Sequence, residues 1–244
     1  MGRVSGDTTR IYVDEFNFSG VTNAATGTFG PNLPEVTSFG DTGAEFVEGL
    51  MTSSISLGGF FDATDDAYDE QMFTTLGDGA DHFVGFYPGL DAAQATNGYE
   101  IKAKPSPQTR PFDVAGAALL DVDWQGTGGV VRSRVLVNQA VTGTGAVSGS
   151  NQNLGATSSG TVFVALLRVL SITGGNITVV IEESSNDGGG DAYAAILSFA
   201  NTAAIAVERL TTTNATEAWK RVNVTALTAS TATILVVVGT EQGT

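Results

Sequence analysis

Four groups of residues have side chains that could do chemistry. Asp121 and Asp123, in LLDVDW, stand two apart, and a strand sends both to one face. Carboxylates so placed can hold a divalent cation or share acid and base work. DGADH (78–82) joins Asp78 and Asp81 to His82, the one histidine, and a His with two carboxylates is a metal-ligand set. NDGGGD (186–191) has the residue types of a calcium loop, but glycines stand where alternate ligands belong. Asp65, Asp66, Asp69 and Glu70 concentrate charge in a short run that could attract a cation.

Each group also has a plainer reading. Asp121 and Asp123 alternate with Leu120, Val122 and Trp124, as on a solvated strand face, and no His or third carboxylate stands nearby in sequence. DGADH falls at a helix exit leading into a strand and reads as a loop with an edge histidine. NDGGGD reads as a hairpin turn, and the acidic run suits the positive end of a helix dipole. The aromatics of the second half, Phe163, Tyr193, Phe199 and Trp219, read as core. With no phosphate-binding Gly-rich loop and no nucleophile beside a base, the chain reads as a non-enzyme with no cofactor and no metal.

The elements that carry these residues are mostly strands. RIYVDEFNF (10–18) reads as one, with Tyr12, Phe16 and Phe18 on one parity. SGVTNAATGTFGPNLP (19–34) reads as a long polar loop because of its Gly and Pro content. Strands follow at 35–39 and 50–61. In 62–76, Tyr68, Met72, Phe73 and Leu76 recur at helical spacing, acids lead and Gly77 stops the run, which predicts one short amphipathic helix. Strands at 82–88 and 98–104 precede PSPQTRP (105–111), read as a loop or edge. Residues 113–124 and 129–138 read as a hairpin turning at Gln125–Gly128. The uncharged, Gly/Ser/Thr/Asn-rich stretch 138–160 marks a boundary. Six short strands then follow at regular spacing, from 161–173 to 231–239, the rhythm of a sandwich.

The totals narrow the function. With no cysteine, disulfides, thiolate metal sites and Cys nucleophiles are excluded. No apolar run is long enough to span a membrane, and MGRVSGDTTR lacks the apolar segment of a secretory signal, so no membrane insertion and synthesis in a cytoplasm are expected. The net charge of −15 is lopsided: residues 1–100 hold 16 acids against two arginines, and residues 101–244 hold 10 acids against nine basic residues. So acidic a first half repels nucleic acid rather than binding it.

EVTSFGDTGAEFVEGLMTSSISLGGFFD (35–62) then offers a pattern. Val36–Phe39, the turn Gly40-Asp41-Thr42, an acidic loop reaching Gly49-Leu50, the strand Ser54–Phe61 and Asp62 before a helix together resemble the major tail tube proteins of long-tailed, siphovirus-type bacteriophages. The resemblance covers roughly residues 8–138. VFVALLRVLSITGGNITVVIEESSNDGG, AAIAVERL and WKRVNV are similar to a β-sandwich module fused to such tube domains.

The resemblance implies a mainly β protein. Residues 1–138 would be a tail-tube-type sandwich or half-barrel with one flanking helix near 62–76, and 139–244 a second β-sandwich on the tube exterior. It implies a virion protein of the phage tail that stacks as hexameric rings, with partners in itself, a tape-measure protein and tail-terminator or baseplate proteins. DNA would pass through an acidic lumen without sticking. The loop bearing Asp41, Thr42, Glu45, Phe46, Glu48 and Leu50 would mediate subunit or ring contacts. Asp14, Glu35 and Glu100 are candidate lumen charges, with Arg10, Lys102, Lys104 and Arg110 pairing other acids. The alternative is a capsid decoration or minor tail adhesion protein that binds host-surface glycans.

Overall fold

A computed structural model describes residues 6–39, 42–62, 64, 67–89, 92–112 and 116–242. In chain order the strands are β1 (Arg10–Val13), β2 (Phe16–Asn17), β3 (Thr22–Pro31), β4 (Met51–Phe60), β5 (His82–Tyr87), β6 (Asn97–Thr109), β7 (Leu119–Val141), β8 (Gly145–Ala146) and β9 (Gln152–Asn153). They continue as β10 (Phe163–Thr173), β11 (Ile177–Ser184), β12 (Ala194–Ser198), β13 (Ala206–Thr212), β14 (Trp219–Leu227) and β15 (Thr231–Gln242). Among the described residues there is one α-helix, α1 (Tyr68–Thr74). The expected mainly β class with one short helix is what the chain adopts, and its strands form two sheets.

The chain forms two compact units. One, the sandwich unit, comprises Met1–Ser19, Gly85–Glu100 and Val131–Glu241; the other, the hairpin unit, comprises Gly20–Val84, Ile101–Val130 and Gln242–Thr244. β5, β6 and β7 each contribute residues to both.

In the sandwich unit, hydrogen-bonded neighbours run β13-β10-β15-β7-β6-β5-β1-β2, and a second sheet runs β12-β11-β14-β8, with β9 also on β14. Phe163, Ala165, Leu167 and Val169 of β10 and Ile234, Val236 and Val238 of β15 meet Val179, Ile181, Val222 and Val224 of the second sheet in one core. The run FVALLRV in β10 is buried at every position, as a strand covered on both faces must be. β14 alternates instead, with Lys220, Val222 and Val224 turned inward, the signature of a half-buried strand.

In the hairpin unit the order is β3-β4-β7-β6-β5. Three sequence expectations fail here. The stretch read as loop, 19–34, contains β3, which pairs with β4 from Thr22↔Gly59 to Pro31↔Met51. None of its residues is buried, so no apolar alternation announced it; the partner strand imposes the conformation. PSPQT does not end β6, which continues to Thr109. Gln125–Gly128 is no turn, because β7 runs unbroken from Leu119 to Val141. Gly126 serves a close approach: a Cβ there would lie 1.8 Å from Ser53 Oγ. Ser53 in turn donates to the Gly128 carbonyl at 3.2 Å, and Gln125 Nε2 donates to the Ser53 carbonyl at 3.0 Å.

Candidate functional site

The hairpin unit has a buried and a solvent side. Ile55 and Leu57 of β4, Leu120, Val122 and Trp124 of β7, and Tyr68 and Met72 of α1 are all buried. Gly59 makes room for the helix, since a Cβ there would lie 2.9 Å from the Tyr68 ring. The alternate residues turn outward. Thr28, Ser54 and Gln125 form one row across β3, β4 and β7; Thr26, Ser56 and Asp123 form the next; Ala24, Gly58 and Asp121 the third. On β6, Ser106 Oγ donates to the Asp123 carbonyl at 3.2 Å. The result is a face of Ala, Gly, Ser, Thr and Gln with two carboxylates and no aromatic in these rows. Asp121 and Asp123 are exposed and, among the described residues, form no ion pair.

Beyond Met51 and Pro31 the hairpin continues as an irregular tip. Asn32 and Leu50 bond at 2.9 Å, Gly49 and Asn32 at 2.7 Å, and Val36 and Glu45 at 2.8 Å through their backbones. The strand expected at 35–39 is reduced to one bridge, Glu35↔Phe46. Thr37 fastens the tip, donating to Glu35 Oε1 at 2.7 Å and accepting from the Glu45 amide at 3.0 Å. Thr42, Glu45 and Glu48 are exposed, as are Leu33, Val36, Phe39, Phe46, Val47 and Leu50. Asp41 lies outside the described residues, as do Asp65 and Asp66 of the acidic run.

Glu100 requires a correction. It is buried in the sandwich unit and gripped at both oxygens by Arg168, Nη1 to Oε1 at 2.8 Å and Nη2 to Oε2 at 3.0 Å. Tyr87 donates its hydroxyl to the same carboxylate and accepts from Arg168 Nη1 at 3.1 Å. Arg168 Nε donates to the Asp14 carbonyl, and its guanidinium lies 5.6 Å from the Tyr12 ring centroid. Burial works against the Arg168 charge more than any single neighbour favours it, but the Glu100 carboxylate, the Tyr87 oxygen and Asp14 together outweigh burial and keep the guanidinium protonated. Burial, then the Glu100 charge, push the Tyr87 hydroxyl well up. Gly85 and Gly98 admit this network: a Cβ would meet Glu100 Oε1 at 2.3 Å and Tyr87 Cδ1 at 2.2 Å. Glu100 therefore presents no charge to a channel, because its charge is neutralised inside the fold. Asp14 sits half-buried at the β1–β2 turn with φ +50°, and Glu35 is exposed on the tip.

The other candidate groups are held within the chain. Asp81 faces Lys102 at 3.2 Å and Lys104 at 3.7 Å, and the Lys102 hydrogen bond holds its carboxyl below the usual range. His82 Nε2 lies 3.2 Å from Asp78, with its ring edge-on to Trp124. Arg110 bonds Asp69 at 2.7 Å. In 186–191, Asp187 accepts from Tyr193 at 2.7 Å and Asn151 at 3.0 Å, while Asp191 accepts from the Ser185 amide at 2.8 Å. The segment is a turn, with positive φ at Asp187 and Gly188. Among the described residues, no three His, Asp or Glu side chains are grouped to hold a metal ion. Phe163 and Phe199 are core. Tyr193 instead lies half-buried on the surface, under Arg221 at 3.9 Å. Among the described residues, no helix is long and apolar enough to cross a membrane.

Sequence reasoning missed the row structure that joins Asp121 and Asp123 to β4 and β3, because it took β3 for a loop and broke β7 at Gly126. It also missed Arg168, whose place in FVALLRVL was the signal: a lone cation in a buried apolar strand needs a buried anion.

No protein family matches the chain, and no curated protein does. Among solved structures it is similar to a chain of the virion of a native gene transfer agent particle, with 17% identity and TM-score 0.39, over 52% of this chain and 97% of that one. It is similar to the SPP1 tail tube, with 10% identity and TM-score 0.42, over 52% and 77%. It is also similar to the SPP1 Dit protein, a hub of the adsorption apparatus of phages infecting Gram-positive bacteria, with 12% identity and TM-score 0.39, over 96% and 98%. Likenesses of this size are loose, and the functional reading stands on the surfaces themselves.

Proposed function

We propose that the chain is a structural subunit of a phage tail tube, stacking as hexameric rings whose bore is lined by the Thr/Ser/Asp face of the hairpin unit. The observation that carries the reading is that face: three rows of short side chains, with Asp121 and Asp123 as its free charges, backing an apolar core. Duplex DNA carries one negative charge per ~1.7 Å of axis. A basic wall would bind it, whereas carboxylates repeated around every ring repel the phosphates and let the duplex slide. Short side chains leave nothing to catch a base or groove. Among the described residues β3 pairs with β4 alone, so its outer edge is open there, and lateral closure of a ring would occupy it.

In this reading Asp121 and Asp123 replace Glu100 as lumen charges, and Asp14 and Glu35 stay as candidates. The tip with Thr42, Glu45, Phe46, Glu48 and Leu50 makes contacts between subunits. Residues 139–244 form the exterior module, and tape-measure and terminator or baseplate proteins are the further partners. The test is negative-stain microscopy of the purified protein. Stacked hollow rings are expected; discrete particles that decorate capsids, or monomers that bind glycans without polymerising, overturn the reading in favour of a decoration or adhesion protein.

A further inference from the structure

Lys220 is the one lysine of the sandwich unit, and it lies out of water against a carboxylate. Lys220 of β14 and Glu183 of β11 stand directly opposite each other in the ladder of the second sheet. Each is two residues from a core side chain, Val222 and Ile181, and so shares its strand face. Their side chains are 1% and 9% exposed, and Lys220 Nζ lies 2.8 Å from Glu183 Oε2. The same Nζ donates to the Glu217 carbonyl and sits 5.4 Å from the Phe163 ring centroid. The Glu217 amide donates to Glu183 Oε2 at 3.2 Å.

Burial and residue type set this pair apart. Lys102 and Lys104, which face Asp81, are 35% and 48% exposed. The other buried pair, Arg168 with Glu100, uses a guanidinium, which does not give up its proton. Among the described ion pairs, Lys220 and Glu183 alone join a lysine to a carboxylate inside the fold. A lysine amine, unlike a guanidinium, can pass on its proton and act as a nucleophile. Holding two dehydrated charges is costly, and a neutral replacement of similar volume is often as stable or more so. An amide between Lys220 Nζ and Glu183 Cδ is such a replacement.

We propose that Lys220 and Glu183 condense into an isopeptide bond that staples β11 to β14. The ammonium passes one proton to the carboxylate, leaving an amine and a carboxylic acid. The amine attacks Cδ, which the 2.8 Å contact holds no more than about 4 Å away, near the separation from which bonds form. The Glu217 amide stabilises the negative charge that Oε2 takes on in the adduct. The other oxygen then leaves as hydroxyl with a proton from the nitrogen. One C–O bond is exchanged for the Nζ–Cδ bond and one water departs; nothing is oxidised or reduced, and no co-reactant is needed. Burial, then the Asp191 and Glu183 charges, push the Glu217 carboxyl up from its usual range, which suits it to relay that proton. A chain without cysteine gains in this way the covalent cross-link that a disulfide would otherwise supply. The bond lies within the sandwich unit and does not depend on what the chain assembles into.

The test is mass spectrometry of the full chain, intact and after trypsin. The folded protein should be one water lighter than its sequence. Trypsin should fail to cut after Lys220 and should release a branched peptide in which residues 169–209 are joined to residues 210–221. The reading is taken on the parent chain, so it does not depend on a variant folding. Lys220→Arg keeps a cation in place but removes the nucleophile, and its digest should lack the branched peptide. A parent of full sequence mass whose Lys220 is cut normally overturns the proposal and leaves the pair an ion pair. So does a water loss located at Asp78-Gly79 or Asp187-Gly188, where cyclisation of an Asp-Gly pair gives the same mass without joining two peptides.

Discussion

Glu100→Gln separates a lumen acid from a structural one. On a channel wall, removing the charge would change stability by no more than about 0.5 kcal/mol. In its observed place the substitution leaves Arg168, whose side chain is 0% exposed, facing a neutral amide. Removing one partner of a buried pair typically costs about 3–5 kcal/mol; Gln retains one acceptor oxygen, so the lower end is expected. Against a total stability of about 5–15 kcal/mol, that lowers the melting temperature by on the order of 10 °C in a chain of this size. The companion variant removes the charges together: Arg168→Met, Glu100→Leu and Tyr87→Phe should recover most of the loss, because no buried charge is left alone. The assay is urea unfolding below the assembly concentration, since self-association adds apparent stability. The two tryptophans fall one in each unit, Trp124 and Trp219, so a Trp124→Phe background leaves Trp219 reporting on the sandwich unit. Unfolding of Glu100→Gln within about 1 kcal/mol of the parent would refute the buried-pair argument.

Three further outcomes follow from the same geometry. Asp121→Lys with Asp123→Lys should leave folding intact but convert assembled protein into a DNA binder, with retardation that weakens steeply as salt rises; no binding at low salt would remove these residues from the bore. Gly85→Ala should destabilise by about 1–3 kcal/mol through overpacking against Glu100, read by urea midpoint, and a silent substitution would mean that the carboxylate does not sit there. Asp81 has its carboxyl lowered by Lys102, so its contribution is present above the unfolded value of about 3.9 and lost as pH falls through the lower folded value; Lys102→Ala should raise the Asp81 titration followed by carboxyl-carbon NMR, and an unmoved titration would refute the pairing.

What the sequence made legible was whatever the core dictates. The continuous apolar runs of β10 and β15, the alternation of β14 and the helical spacing of Tyr68 and Met72 all report burial, but the strand rhythm did not show that β10, β13 and β15 join the first sheet while β11, β12 and β14 form the second with β8 and β9. What it hid was decided by partners. β3 has almost no buried side chain, so only its ladder with β4 makes it a strand, and no local pattern encodes a ladder. Gly126 and the prolines of 105–107 carry turn composition, yet here they mark a close approach to Ser53 and the far end of β6. The site residues divided likewise. Phe46 and Leu50 were picked out by a motif and are exposed, whereas Glu100 was chosen for its charge alone, and charge says nothing about burial.

That division changes how an acidic composition should be read. A net charge of −15 counts every carboxylate equally, but a field at a surface comes only from those without a nearby cation. Arg168 cancels Glu100, Arg110 pairs Asp69, Lys102 and Lys104 share Asp81, Lys220 pairs Glu183 and Arg221 pairs Glu182. In the hairpin unit all three basic residues, Lys102, Lys104 and Arg110, are thereby committed on β6 or just beyond its end, one strand away from the rows that hold Asp121 and Asp123. The face across β3, β4 and the first half of β7 keeps its carboxylates uncompensated because the cations lie outside these rows. Placing a lysine at Ser56, opposite Asp123, would form a cross-strand pair and halve the net charge of the face without touching the core. If like-sign repulsion is what keeps a polyanion moving, that single change should slow DNA passage, while the same lysine at exposed Thr52, beyond the three rows, should not.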